Sequence, residues 1–206
     1  MTLKENATMS NVVLESPLNG ISRLGDRVLS VDGKRVALGE LGFMEIITLR
    51  GDAHDARFAD AVKRVTGLAL PVAANTASLG GGRQLVWLGP DEWILKSPID
   101  PKNPNDDALE SALRLALDGL HCSVVQVGSG YTTLTVQGEG AADLLSRGCP
   151  LDFHPRVFAV GAVAQSHVAK AGATILCLEA GTRFELTVRR SFADYLFRWL
   201  CEAGAE

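Results

Sequence analysis

The order in which strand-like and helix-like patterns follow one another constrains this chain more than any single residue. Phe43–Arg50 alternates as a strand. Ala53–Thr66 then places Phe58, Ala61, Val62 and Val65 on one helical face, and Gly67 stands where a helix C-cap is expected. After a loop from Pro71 to Gly82, Leu85–Leu88 and Trp93–Lys96 read as strands flanking the turn Gly89-Pro90-Asp91. A second helix is expected from about Asp106 to Asp118, with Leu109, Ala112, Leu113, Ala116 and Leu120 as its apolar stripe. Asp106 and Asp107 fall in its first turn, where the helix dipole favours negative charge. Ser123–Val127 follows as a strand. Strand, helix, two strands, helix, strand is the split βαβ, ferredoxin-like order.

A similar order begins again at residue 131. Thr132–Gln137 alternates as a strand, with Gly128-Ser129-Gly130 read as a hairpin turn before it. Ala141–Arg147 reads as a short helix, capped by Gly148 and stopped by Pro150. Strands are expected at Val160–Ala169, Thr174–Glu179 and Phe184–Arg189, then a last helix. Ser191 as N-cap with Asp194 three residues on resembles a capping box, and Phe192, Tyr195, Leu196 and Trp199 read as its apolar face. The echo is in element order only; no residue-level repeat is visible. The fold class expected is α+β, an antiparallel-rich sheet with helices on one face.

Residues 1–42 look different. Ser16-Pro17-Leu18-Asn19-Gly20 is turn-like, and Gly25, Gly33, Gly39 and Gly42 interrupt any period. The segment reads as an extended N-terminal arm lying on a surface, ahead of an α+β domain at 43–206; the composition of residues 1–15 also suits a disordered tail.

Composition removes several classes of function. A net charge of −4 provides no basic footprint for nucleic acid. No apolar run approaches the roughly 20 residues of a membrane helix, and Met1–Val13 lacks a signal-peptide apolar core, so a cytoplasmic protein is expected. Cys122, Cys149, Cys177 and Cys201 are widely spaced, which suits free thiols and offers no zinc-type pair.

No catalytic constellation emerges either. Gly80-Gly81-Gly82 lacks the Lys-Ser/Thr ending of a phosphate loop and reads as a tight turn. Cys149, Asp152 and His154 are close in sequence, but a nucleophile and its base are assembled in space, and a cysteine between Gly148 and Pro150 reads first as a small buried residue. His54, His121 and His167 stand alone. Trp199 reads as core; Trp87 and Trp93 flank a turn, where core packing competes with a role as contact anchors. Arg189 and Arg190 read as the solvated end of a strand or as anchors for a partner subunit, since arginine is enriched at interfaces.

Four segments resemble the gamma subunit of heterotetrameric sarcosine oxidase. They are Leu88-Gly89-Pro90-Asp91-Glu92-Trp93, Gly130-Tyr131-Thr132-Thr133-Leu134-Thr135-Val136-Gln137-Gly138, Leu144-Leu145-Ser146-Arg147-Gly148-Cys149-Pro150-Leu151-Asp152 and Arg190-Ser191-Phe192-Ala193-Asp194-Tyr195-Leu196-Phe197-Arg198-Trp199-Leu200. The first two also occur loosely in folate-binding aminomethyltransferase-like proteins, whose fold the gamma subunit is similar to. The resemblance implies a subunit of a complex that oxidatively demethylates sarcosine to glycine with oxygen, yielding hydrogen peroxide. With tetrahydrofolate present, the one-carbon unit becomes 5,10-methylenetetrahydrofolate. It implies that FAD, FMN, NAD, tetrahydrofolate and zinc belong to the alpha, beta and delta subunits or their interfaces. It also implies that the gamma subunit packs on alpha and has no assigned catalytic, cofactor-binding or metal residue. The alternative expectation is a stand-alone folate-binding aminomethyltransferase-like protein.

Overall fold

This computed structural model describes residues 15–19, 27–99 and 108–205; the expectations for residues 1–14 and for Asp106 and Asp107 lie outside them. The first regular structure is a hairpin. Strand β1 (Arg27–Val31) pairs antiparallel with β2 (Lys34–Glu40). The turn between them is Asp32-Gly33, with φ of 51° and 78°, the two left-handed residues a tight type I′ turn requires. Val31, Val36 and Leu38 are fully buried, so residues 27–40 belong to the core of the domain. The reading of residues 1–42 as an arm is corrected there: an Asp-Gly turn between alternating residues outweighs the scattered glycines.

Module 1 follows without interruption: β3 (Met44–Arg50), α1 (Ala56–Thr66), β4 (Ala77–Gly80), β5 (Arg83–Gly89), β6 (Glu92–Pro98), α2 (Ala108–Ala116) and β7 (Ser123–Gln126). Its antiparallel sheet has the order β4-β5-β6-β3-β7. Helix α1 ends at Gly67, φ 77°, as expected, but starts at Ala56 rather than Ala53, where the Asp55 side chain accepts the Arg57 N–H. Both helices cover one face, burying Phe58, Val62, Leu113 and Leu117 against Leu49, Leu85, Trp93 and Leu95.

Module 2 comprises β8 (Tyr131–Gln137), α3 (Ala141–Ser146), β9 (Val163–Val168), β10 (Ala171–Glu179), β11 (Arg183–Arg189) and α4 (Arg190–Ala203). Its sheet order is β1-β2-β8-β11-β10-β9. The correspondence with module 1 runs β8 for β3, β9 for β4, β10 for β5 and β11 for β6. The last strand, however, comes from the N-terminus, since β2 lies beside β8 where β7 lies beside β3. Gly138 makes this pairing close: its φ is 129°, and a Cβ there would stand 2.2 Å from the Arg35 carbonyl oxygen.

Two expectations fail here for identifiable reasons. Gly128-Ser129-Gly130 is a 3-10 turn carrying the chain from one sheet to the other, because β7 pairs with β3 while β8 pairs with β11 and β2. Helix α4 begins at Arg190 with Arg189 as N-cap and no side-chain cap, because β11 runs into it with no linker; Asp194 instead pairs with Arg198 at 2.7 Å. The face α4 buries is Ala193, Leu196, Phe197 and Leu200, leaving Phe192 and Tyr195 exposed and Trp199 half-buried.

The uncovered faces of the sheets meet each other. Val86 from module 1 packs on Val163 and Leu176 from module 2. At one end of the seam the β4 and β9 edges touch through a Thr76–Ala162 bridge, and the Gln165 amide donates to the Leu88 carbonyl.

Candidate functional site

The seam holds the most unusual chemistry of the molecule. In β6, Trp93 and Leu95 turn to the helices, so Lys96, one residue on, turns to the other sheet. In β11, Phe184 and Leu186 face the helices and Glu185 faces back. Lys96 and Glu185 are 2% and 3% exposed and 2.7 Å apart. The Lys96 ammonium also donates to the Thr187 hydroxyl at 3.2 Å, and the Gln84 amide donates to the second Glu185 oxygen at 2.9 Å. Thr133 and Thr187 share a further hydrogen bond at 3.1 Å. The buried Gln84 Oε1 has no hydrogen-bond partner among the described residues. Burial pushes the Lys96 ammonium below its ordinary range, opposed by Glu185. Both carboxylate oxygens are engaged and the group is sealed, which fits a structural cross-link better than proton transfer to a substrate. Sequence reading missed this cluster, though a signal existed: a lysine directly after Trp93-Ile94-Leu95 and a glutamate between Phe184 and Leu186, charges of opposite sign set against apolar strand residues.

The arginines expected at an interface have separate roles. Arg190 donates to the Glu15 carbonyl at 2.6 Å. It thereby pins the segment Glu15–Asn19, whose Leu18 is 2% exposed in the module 2 core. Ser16 and Thr132 both donate to the Glu40 carboxylate beside it. Arg189 is exposed, with its guanidinium 5.4 Å from the Tyr131 ring centroid, a stacked geometry. It lines a shallow cleft with Tyr131, Gln165, Thr174, Thr187 and Phe192.

The remaining candidates resolve as local structure. Cys149 is buried and donates weakly to Ser166. Asp152 accepts the His154 backbone N–H at 2.8 Å, and His154 Nδ1 accepts that of Arg156 at 3.2 Å, so this stretch is a chain of turn caps. His54 and His121 line an open surface cleft with Arg50, Asp55, Arg57 and Asp91. There Arg50 pairs with Asp91 at 2.9 Å and Arg57 with Asp55 at 2.7 Å. Gly81 and Gly82 form the β4–β5 turn with φ of 57° and 74°. Trp93 is fully buried, its Nε1 donating to the Pro71 carbonyl at 2.8 Å. Trp199 rests on Gly148, where a Cβ would meet the indole at 2.2 Å. All four cysteines are free, and among the described residues no group of three or more His, Cys, Asp or Glu is placed to hold a metal ion.

Two split-βαβ modules packed through their open faces define an aminomethyltransferase-type fold. The glycine cleavage system aminomethyltransferase T from Bartonella henselae superposes with a TM-score of 0.61 over 94% of this chain and 59% of that one, at 16% identity. Within that fold class, the model of the sarcosine oxidase, gamma subunit family matches residues 50–206, and the chain belongs to that family. It is 31% identical over 179 residues to sarcosine oxidase subunit gamma of Corynebacterium sp. (strain U-96), covering 85% of this chain and 83% of that one. Against the Arthrobacter sp. subunit gamma it is 29% identical over 175 residues, with 83% and 81% covered. A chain in the structure of heterotetrameric sarcosine oxidase from Corynebacterium sp. U-96, in complex with pyrrole 2-carboxylate, superposes with a TM-score of 0.81. That match has 25% identity and covers 92% of this chain and 94% of that one.

Proposed function

We propose that this chain is the gamma subunit of a heterotetrameric sarcosine oxidase and contributes assembly rather than a catalytic group. The observation that carries the reading is the end-to-end match to a chain of such a heterotetramer, 92% and 94% covered. The seam supports it, since its buried Lys96–Glu185 pair is saturated by its own neighbours. In this reading the chain packs directly on the alpha subunit, with beta and delta completing the complex. The complex demethylates sarcosine to glycine with formation of hydrogen peroxide, and with tetrahydrofolate delivers 5,10-methylenetetrahydrofolate. The flavins, NAD, folate and zinc reside on the other subunits. Four free thiols suit a cytoplasmic setting.

The test is co-expression with the three other subunits from the same host. The expected result is a stoichiometric four-chain complex that produces peroxide from sarcosine, while this chain purified alone is colourless and inactive. A complete, active oxidase purified without this chain would overturn the reading. Tight binding of tetrahydrofolate to the isolated chain would favour a stand-alone aminomethyltransferase-like protein.

A further inference from the structure

The face of the module 2 sheet that meets module 1 runs on beyond it. Along β11, Glu185, Thr187 and Arg189 share that face by alternation. The register carries the face across the sheet: Thr187 stands opposite Thr133 in β8 and Thr174 in β10, and Arg189 stands opposite Tyr131. In the β9–β10 hairpin, Thr174 stands opposite Gln165 and Gly172 opposite His167. At Glu185 the face is sealed, with the carboxylate 3% exposed on Lys96. At Thr187 the cover ends: that side chain is still buried, and Gln165 reaches across to the Leu88 carbonyl. At Arg189 the face is open, since Arg189, Gly172 and His167 are all exposed. Phe192, in the first turn of α4 and 42% exposed, lines the same cleft.

Charge decides what this open end accepts. Arg189 stacks on Tyr131 and takes part in none of the ion pairs among the described residues, and neither does Lys170 in the β9–β10 turn. The nearest acids along β11 and α4 are engaged, Glu185 by Lys96 and Gln84, and Asp194 by Arg198. The other residues lining the cleft are uncharged. The result is unopposed positive charge between two aromatic rings, the residue types that dominate binding energy at interfaces. A free small anion is the poorer occupant, because ligand sites enclose most of the ligand's surface and this cleft is shallow. A carboxylate on a protein surface needs no such enclosure, since its own chain covers the open side.

We infer that this cleft receives an aspartate or glutamate side chain from another subunit of the oxidase, and this rests on the proposed function above. The carboxylate accepts paired hydrogen bonds from the Arg189 guanidinium, and an apolar neighbour of that acid rests on Phe192. Gly172 leaves the room: a Cβ there would meet nothing within 4 Å, so the floor beside the guanidinium is open. Arg190, one residue on, cannot share the role, because it already holds the Glu15 carbonyl.

Reconstitution of the full chain with the three other subunits tests this, with thermal melts of each variant alone as the control for folding. Arg189→Gln removes the charge and is expected to weaken assembly roughly tenfold or more at an unchanged thermal midpoint. Gly172→Leu fills the cleft from its floor, where a Cβ meets no neighbour, and is expected to lose the complex, again at an unchanged midpoint. Arg189→Lys keeps the charge without the paired donors and is expected to assemble more weakly than wild type but better than Arg189→Gln. In its complex a carbodiimide, which joins an amine to a touching carboxylate as an amide and takes up the water released, is expected to bond position 189 to an Asp or Glu of another subunit, located by peptide mass mapping. Wild-type assembly by Arg189→Gln or by Gly172→Leu overturns the inference while leaving the gamma-subunit reading intact. A bond from position 189 to an acid of this chain, or to a second copy of it, also overturns the inference. Failure of the wild-type chain to join any heterotetramer overturns the function reading itself, and the inference with it.

Discussion

Removing one partner of the Lys96–Glu185 pair should damage the protein far more than removing both. The pair is 2% and 3% exposed with a 2.7 Å contact, so Glu185→Leu leaves an ammonium in a dry seam with only Thr187 as acceptor. An uncompensated buried charge costs about 3–5 kcal/mol. For a domain of this size about 1 kcal/mol shifts the melting midpoint by roughly 2–4 °C, so the expected fall is roughly 6–20 °C. Lys96→Met should lose a comparable amount, moderated by the Gln84 amide that still serves Glu185. The double variant Lys96→Met/Glu185→Leu removes both desolvated charges, but strands the Gln84 amide. An unmet buried donor costs about 1–3 kcal/mol, so the double should sit only that far below wild type, and adding Gln84→Leu should recover it. Urea unfolding followed by circular dichroism, analysed as a double-mutant cycle, supplies the coupling. Near-neutral single variants, or a double whose loss equals the sum of the singles, would show that water reaches the pair and that the seam is not dry.

Leu18→Ala should destabilise the domain by about 2–5 kcal/mol, because Leu18 is buried in module 2; an unchanged urea midpoint would show that Glu15–Asn19 is detached in solution. Gly148→Ala should cost about 1–3 kcal/mol through overpacking, since its Cβ would meet the Trp199 ring at 2.2 Å; combining it with Trp199→Leu should return part of the loss in thermal melts, and strict additivity would refute the contact. Hydrogen bonds from the Arg57 side chain and then its backbone N–H hold the Asp55 carboxyl below its ordinary 3.8, so the stability it contributes is full above pH 3.8 and is lost as pH falls through the folded value. Asp55→Asn keeps an N-cap acceptor and should flatten that acid limb in pH-dependent melts; an unaltered limb would count against the cap.

The elements were largely legible because their periods are strong, as with Phe58, Ala61 and Val62 against the alternation of Thr132–Gln137. Their partners were less so. β7 and β8 flank a glycine turn and look like a hairpin, yet each pairs with a strand far off in sequence, Ile47↔Gln126 and Ala37–Glu40 beside Leu134–Gln137. Nothing local encodes that choice. The Asp32-Gly33 hairpin was encoded locally, but Gly25, Gly39 and Gly42 around it masked the turn. On α4 the aromatic residues Phe192, Tyr195 and Trp199 suggested the buried face. Because the helix begins at Arg190, the side it lays on β8 and β11 is that of Ala193, Leu196, Phe197 and Leu200. Of the expected subunit contacts, Arg190 is spent holding Glu15, while Arg189 keeps a guanidinium exposed.

The borrowed strand explains why a cross-link between the sheets matters in this chain. Module 1 is one uninterrupted segment from Met44 to Gln126, inserted between β2 and β8 of module 2. Module 2 therefore cannot complete its sheet until residues a hundred positions apart, Ala37 and Gln137, have met. Loop-closure entropy must be overcome before that pairing stabilises anything. A folded module 1 shortens the gap, because its own ends emerge side by side: β3 and β7 are adjacent strands, and the chain leaves both close to Gly128. The apolar part of the seam, Val86 on Val163 and Leu176, would tolerate the two sheets sliding past one another. Lys96 and Glu185 tolerate no such slip, since each would then be buried without its counter-charge. A register fixed by one ion pair is what a subunit needs if its outer surfaces, rather than an internal site, are its function.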